Sequence, residues 1–267
     1  LAASEGGPPV LIEPERTWSR ADVLSFLRED LPDDTLVGLD LGISLPFADC
    51  GAFFPGWQDS PADAKALWQV IDDICAGDDY LSAGSFVDHP ELSRYFRRHG
   101  GREGDRFHAP DAQDRRGRFR VTERAQEALG CKPYSNFNLV GAAQVGKSSL
   151  TGMRVLNRLN GRIPVWPIDP LPRSGPVIAE IYTAISAVTA ARAAGRSKIR
   201  DLADLDAALC VLGSAPIGRT GPVTDHASDA LLTAAWLRGA AGIAGLWSPA
   251  ALTPTIARTE GWTFGAP

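Results

Sequence analysis

The sequence predicts an α/β fold, a mixed sheet flanked by helices in one domain spanning residues 1–267. Short apolar or β-branched runs recur near residues 10, 37, 138, 165 and 179, each of strand length. Between them lie longer stretches with apolar residues at helical spacing, and that alternation is the α/β pattern. With 267 residues and 44% hydrophobic content the chain can bury a substantial core.

In chain order, residues 1–3 and 10–12 read as short strands around the turn-forming Glu5-Gly6-Gly7-Pro8-Pro9. Ser19 with Asp22 three positions on is an N-cap with a first-turn acid. It opens a helix that carries Ala21, Leu24, Phe26 and Leu27 and ends near Pro32. The strand that contains Asp40 follows within Thr35–Pro46, closed by Leu45-Pro46. Residues 47–57 form an aromatic loop, and Ala66, Leu67, Val70, Ile71 and Ile74 define a helix over 62–74. Later helices are expected over 149–159, 184–194, 201–212 and 225–240, with a proline-broken strand at 163–170 and a buried strand at 177–182. The tail, with Trp247, Trp262 and Phe264 among prolines and glycines, reads as irregular packed structure. No internal repeat occurs.

Composition narrows the setting. The four cysteines are widely spaced, without a C-x-x-C pair, and read as free thiols of a reducing compartment. With no apolar run of membrane-spanning length and no secretory leader, the expectation is a soluble cytoplasmic protein with no membrane partner. The formal net charge is -5. Between Arg94 and Arg124, however, ten arginines face five acids, a local net of +5. Phe86, Tyr95, Phe96, Phe107 and Phe119 interleave with them. The segment 77–131 therefore reads as a lid-like insertion. It is either a solvated face with satisfied ion pairs or a groove wall that meets nucleic-acid backbone.

The chemistry is carried by acids set in apolar sequence. Asp40 lies inside the apolar stretch Thr35–Pro46, and Glu180 lies within Gly175-Pro176-Val177-Ile178-Ala179-Glu180-Ile181-Tyr182. Asp225 and Asp229 stand four apart at the start of the most apolar helix, so they share a face. An unpaired buried carboxylate is costly, so each must reach a strand end, find a donor or hold a cation. Carboxylates arriving from two strands and a helix start suit Mg²⁺ or Mn²⁺ and phosphodiester hydrolysis, with Asp40, Glu180 and Asp229 as ligands and Asp225 beside them. Open alternatives are a first-turn acid for Asp225, a surface position for Asp229 and an arginine pair for Glu180. His226 is either a ligand or proton shuttle, or an ordinary surface group.

Several blocks in this order resemble a family of predicted ribonuclease-H-like nucleases, related in fold to RuvC-type junction resolvases. They are Gly38-Leu39-Asp40-Leu41-Gly42-Ile43, Leu139-Val140-Gly141 with Val145-Gly146-Lys147, Val165-Trp166-Pro167, Glu180-Ile181-Tyr182, Lys198-Ile199-Arg200-Asp201 and Asp225 with Asp229-Ala230-Leu231. The resemblance implies a ribonuclease-H-like mixed sheet with the arginine-rich insertion. It also implies a carboxylate on the fourth strand at Asp40, another near the fifth at Glu180, and a last one opening the final helix at Asp225 or Asp229. The family's first strand, with its own aspartate, would precede Leu1, so that strand is expected to be missing from residues 1–267.

Two rivals stand beside this reading. One is a non-catalytic nucleic-acid-binding or structural protein of the same fold, in which the acids are splayed apart or paired with arginine. The other is a nucleotide-hydrolysing phosphate loop, because Gly141 to Ser148 satisfies G-x-x-x-x-G-K-[ST]. The late position of that motif and the proline-broken strand at Asp169 argue against it.

Overall fold

Three parallel strands position the acids. In the computed structural model, which describes residues 1–108, 117–141, 144–192 and 198–267, the chain is an α/β fold with both parallel and antiparallel pairings and flanking helices. Asp111, Asp114, Arg115 and Arg116 of the basic stretch, Ala142 and Ala143 of the Gly141–Ser148 motif, and Ala193 and Ala194 lie outside the described residues.

Strands β1 (Ala2–Ala3) and β2 (Val10–Leu11) form an antiparallel hairpin. Helix α1 (Arg20–Ser25) has the expected capping box, with the Ser19 side chain accepting from the Asp22 amide and the Asp22 side chain accepting in return. A π-helical turn over Phe26–Asp30 continues it. Strand β3 (Leu36–Leu39) leads to Asp40, and helix α2 (Ala64–Ile74) is capped by Asp63. After α3 (Gly84–Asp88), the short strands β4 (Arg97–Arg98) and β5 (Arg102–Glu103) pair antiparallel. Helix α4 (Val121–Ala128) follows, then α5 (Val145–Leu159), β6 (Val165–Trp166) and β7 (Val177–Glu180). Helices α6 (Thr183–Thr189), α7 (Leu202–Val211), α8 (Asp225–Ala240) and α9 (Pro254–Thr259) complete the order.

The parallel sheet runs β3-β7-β6, with Leu39 opposite Glu180 and Trp166 opposite Ala179. Two strands expected to join these in one mixed sheet lie elsewhere. Residue 10 belongs to the separate hairpin, and residue 138 makes only an isolated bridge to Arg97. Helix α5 begins four residues before the expected 149, so Gly146, Lys147 and Ser148 are already helical. The tail is more regular than its composition suggests, since α9 forms there and Trp262 and Phe264 are fully buried.

Helix α5 packs on α2, and α6 packs on α8, which also meets β3 and the β1-β2 hairpin. Gly38 is the residue that lets α8 come close. A Cβ there would lie 2.6 Å from a Leu237 methyl carbon and 2.9 Å from Ile181. The aromatics of the basic segment are core: Phe54 meets Tyr95, Phe86 and Phe137 edge-on at 5.2, 5.8 and 6.1 Å between ring centroids. No helix of the described residues is long and apolar enough to cross a membrane.

Candidate functional site

Asp40 and Glu180 arrive at the same end of adjacent parallel strands, as the sequence suggests, but offset by one residue. Leu39, not Asp40, is the register partner of Glu180. Side chains alternate between faces with period two, so Asp40 and Glu180 turn to opposite sides of the sheet. Asp40 shares its side with Gly38, two residues back, and therefore faces α8. It accepts a hydrogen bond from the Thr183 amide at the start of α6.

On that side Asp40 feels the charge of Asp229. On α8, Asp229, Thr233 and Leu237 recur at helical spacing, and Leu237 is the residue lying against Gly38. Asp40 is exposed by surface area, yet the protein gathered around its carboxyl desolvates it. Desolvation first, then the like charge of Asp229, pushes its pKa up to about 6; Glu180 adds a smaller push, while the Thr183 amide and His226 oppose the shift. Solvent at its outer side limits the energy involved. Asp229, half-buried, is also raised, by desolvation first and then by Asp225, with His226 and Lys198 opposing. Asp40 thus feels the charge of Asp229, whereas the like charge that acts on Asp229 is that of Asp225.

Asp225 has a different fate. Thr224 caps α8 by accepting from the Ala227 amide, and Asp225 sits in the first turn. Its carboxylate takes Lys198 at 2.8 Å and Arg200 at 3.2 Å, and the hydrogen bonds from these two cations hold its pKa low. Two cations therefore already offset part of the Asp225 charge. His226 is exposed and acts on the aspartates through space.

Glu180 is buried on the opposite face and fully engaged. Arg120 grips it bidentately, Nη1 to Oε2 at 2.7 Å and Nη2 to Oε1 at 2.6 Å. The Ile43 amide donates to Oε2 at 2.8 Å and the Thr263 hydroxyl to Oε1 at 2.5 Å. Both oxygens are thereby spent, so the metal-ligand role assigned to Glu180 by sequence has no free lone pair to rest on. Arg120 also bonds Glu123 at 2.8 Å and the Glu260 carbonyl at 3.1 Å. Burial pushes the Glu123 carboxyl up to about 7 despite Arg120, whereas Arg120 itself is raised because Glu123 and Glu180 outweigh its own desolvation. Glu260, 0% exposed, accepts from the amides of Phe47, Ala48 and Val121 and staples α4 to the aromatic loop.

These partners were hidden in the sequence. Arg120 and Arg118 belong to the basic stretch, yet they are only 1% and 2% exposed. Arg118 is locked bidentately to Asp49 and to backbone carbonyls of Pro46, Ala52 and Phe53. Arg94 pairs with Asp105 and Glu91, and Arg124 with Glu127. Among the described arginines of the stretch, Arg118 and Arg120 are buried and structural, and the others are half-buried or exposed.

The donor chemistry bears on a metal. Mg²⁺ is commonly held by one or two carboxylates, completed by water and substrate phosphate, rather than by an all-protein cage. Among the described residues no group of three or more His, Cys, Asp or Glu side chains could hold a metal by itself. No protein-family model, curated protein or solved structure matches this chain.

Proposed function

We propose that the chain is a metal-dependent phosphodiester hydrolase of nucleic acid with a ribonuclease-H-like fold, acting through Asp40 and Asp229. The observation that carries this reading is that Asp40, just past the carboxyl end of a parallel strand where open α/β sheets place their sites, is raised by the like charge of Asp229 on the helix facing it. Asp40 and Asp229 would hold one Mg²⁺ or Mn²⁺, which supplies Lewis acidity and an activated water when bound. The Thr183 amide orients Asp40. A carboxyl whose pKa lies near 6 can also take up or release a proton close to neutral pH. Lys198 and Arg200 pair with Asp225, which offsets part of the charge that Asp225 presses on Asp229.

A second reading, a nucleic-acid-binding protein of the same fold without chemistry, is favoured by one observation. Glu180, the third expected ligand, is neutralised by Arg120. The two readings part in one assay: labelled single- and double-stranded DNA and RNA incubated with Mg²⁺ or Mn²⁺. Cleavage by the parent that disappears in Asp229→Asn supports the hydrolase. Binding without cleavage in any metal supports the second reading.

A further inference from the structure

The basic stretch and the Gly141–Ser148 motif, which the proposed hydrolytic site leaves unused, meet in one cavity. It has a volume of about 360 Å³ and is walled by Val87, Asp88, Arg98, His99, Arg102, Leu139 and Lys147. That is at the small end of ligand clefts, which run from about 300 to 1,000 Å³. Two features of its wall are electrostatically unfavourable unless an anion is present. Arg98 and Arg102 are direct cross-strand partners in the β4-β5 hairpin, and like charges placed opposite each other repel. Lys147 is the third residue of α5, so its ammonium sits at the positive end of the helix dipole.

Compensation within the wall is slight. Asp88 approaches Arg98 only to 3.6 Å, and among the described residues no carboxylate lies within ion-pair distance of Arg102 or Lys147. The other arginines of the stretch contrast with these. Arg94, Arg118, Arg120 and Arg124 each have a carboxylate within 3.0 Å. Among the described residues the motif has no core-strand lead-in, only the Asn138 bridge to Arg97, and the Ser148 hydroxyl bonds back to the Val145 carbonyl. What remains is a lysine aimed with two arginines at one small space.

We propose that the cavity walled by Arg98, His99, Arg102 and Lys147 binds a phosphate group, carried either on a nucleic-acid backbone or on a small phosphorylated molecule. The guanidinium forks match phosphate geometry and the ammonium adds a point charge. Val87 and Leu139 provide an apolar flank. The site uses neither the metal nor the Asp40–Asp229 pair, and it is read in a binding assay without turnover. Failure of the hydrolytic reading therefore leaves it standing.

The test is titration of the parent, of Arg102→Ala/Lys147→Ala and of a control, Arg124→Ala, with two probes at low ionic strength. The probes are inorganic phosphate, followed by calorimetry, and a fluorescein-labelled 12-nucleotide oligothymidylate, followed by anisotropy. The parent and the control should bind at least one probe equally, and the double variant should bind it at least tenfold more weakly. Oligonucleotide binding that phosphate does not match identifies the backbone as the source; phosphate binding alone identifies a small phosphorylated molecule. Because the double variant removes the crowded charges, its melting temperature without phosphate should match or exceed the parent's, and phosphate should raise only that of the parent and control. No binding of either probe by the parent, or equal binding by the double variant, would overturn the proposal.

Discussion

Replacing Asp40 by Asn should make the protein more stable at neutral pH, and the size of the gain follows from its surroundings. The folded-state pKa of about 6 lies some two units above the ordinary aspartate value. For a group raised on folding, the associated stability is fully present below the unfolded pKa near 4 and is lost as pH rises through 6. Two units correspond to at most ~3 kcal/mol, and because Asp40 is exposed to solvent, screening reduces this to ~1 kcal/mol. Asn keeps an oxygen for the Thr183 amide but cannot ionise. The variant should therefore gain ~1 kcal/mol over the parent at pH 7.5, or about 2–4 °C in melting temperature for a chain of this size. At pH 4.5 it should be nearly indistinguishable. Urea unfolding at both pH values measures the difference. Asn destabilising at pH 7.5, or giving the same gain at pH 4.5, would show that the Asp40 carboxyl is not strained by its neighbours.

Three other variants probe the frame. Arg120→Met should cost about 3–5 kcal/mol in urea unfolding, because it strands Glu180 and Glu123 as buried carboxyls without their cation. A loss under 1 kcal/mol would contradict the assigned pairing. Gly38→Ala should cost about 1–3 kcal/mol by pushing against Leu237, and Leu237→Ala in the same chain should recover part of that loss; strictly additive losses would exclude the contact. Glu180→Gln should lower stability while leaving divalent-cation affinity unchanged, as isothermal titration would show, whereas a lost affinity would return Glu180 to the metal site.

Much of the frame was legible because it is local. The Ser19 cap, the apolar spacing of α2 and the bounds of α8 follow from residues within a few turns of one another. Asp40 stood out as an acid inside an apolar stretch, and Asp229 as one embedded in an apolar helix. Glu180 gave the same signal with the opposite outcome. One residue of register decides which face it takes, and its partner, Arg120, lies 60 positions away. Nothing near Arg120 distinguishes it from the outward arginines around it. Its Val121-Thr122-Glu123 context announces only a helix start with a capping box. Likewise the cavity brings Lys147 to Arg98 and Arg102 through packing between distant segments, so neither the motif nor the basic run alone reveals it. The strands at 10 and 138 were expected in one mixed sheet with the others, because short apolar runs specify extended backbone without specifying a partner.

The central claim is that Asp40 and Asp229 form one cation-binding pair. Isothermal titration of Mn²⁺ into the parent, Asp40→Asn, Asp229→Asn and Asp225→Asn tests it most directly. The account predicts one saturable site in the parent, lost or weakened at least tenfold in Asp40→Asn and in Asp229→Asn, and retained in Asp225→Asn, whose carboxylate is already held by Lys198 and Arg200. No measurable affinity in the parent, or equal affinity in all four proteins, would contradict it.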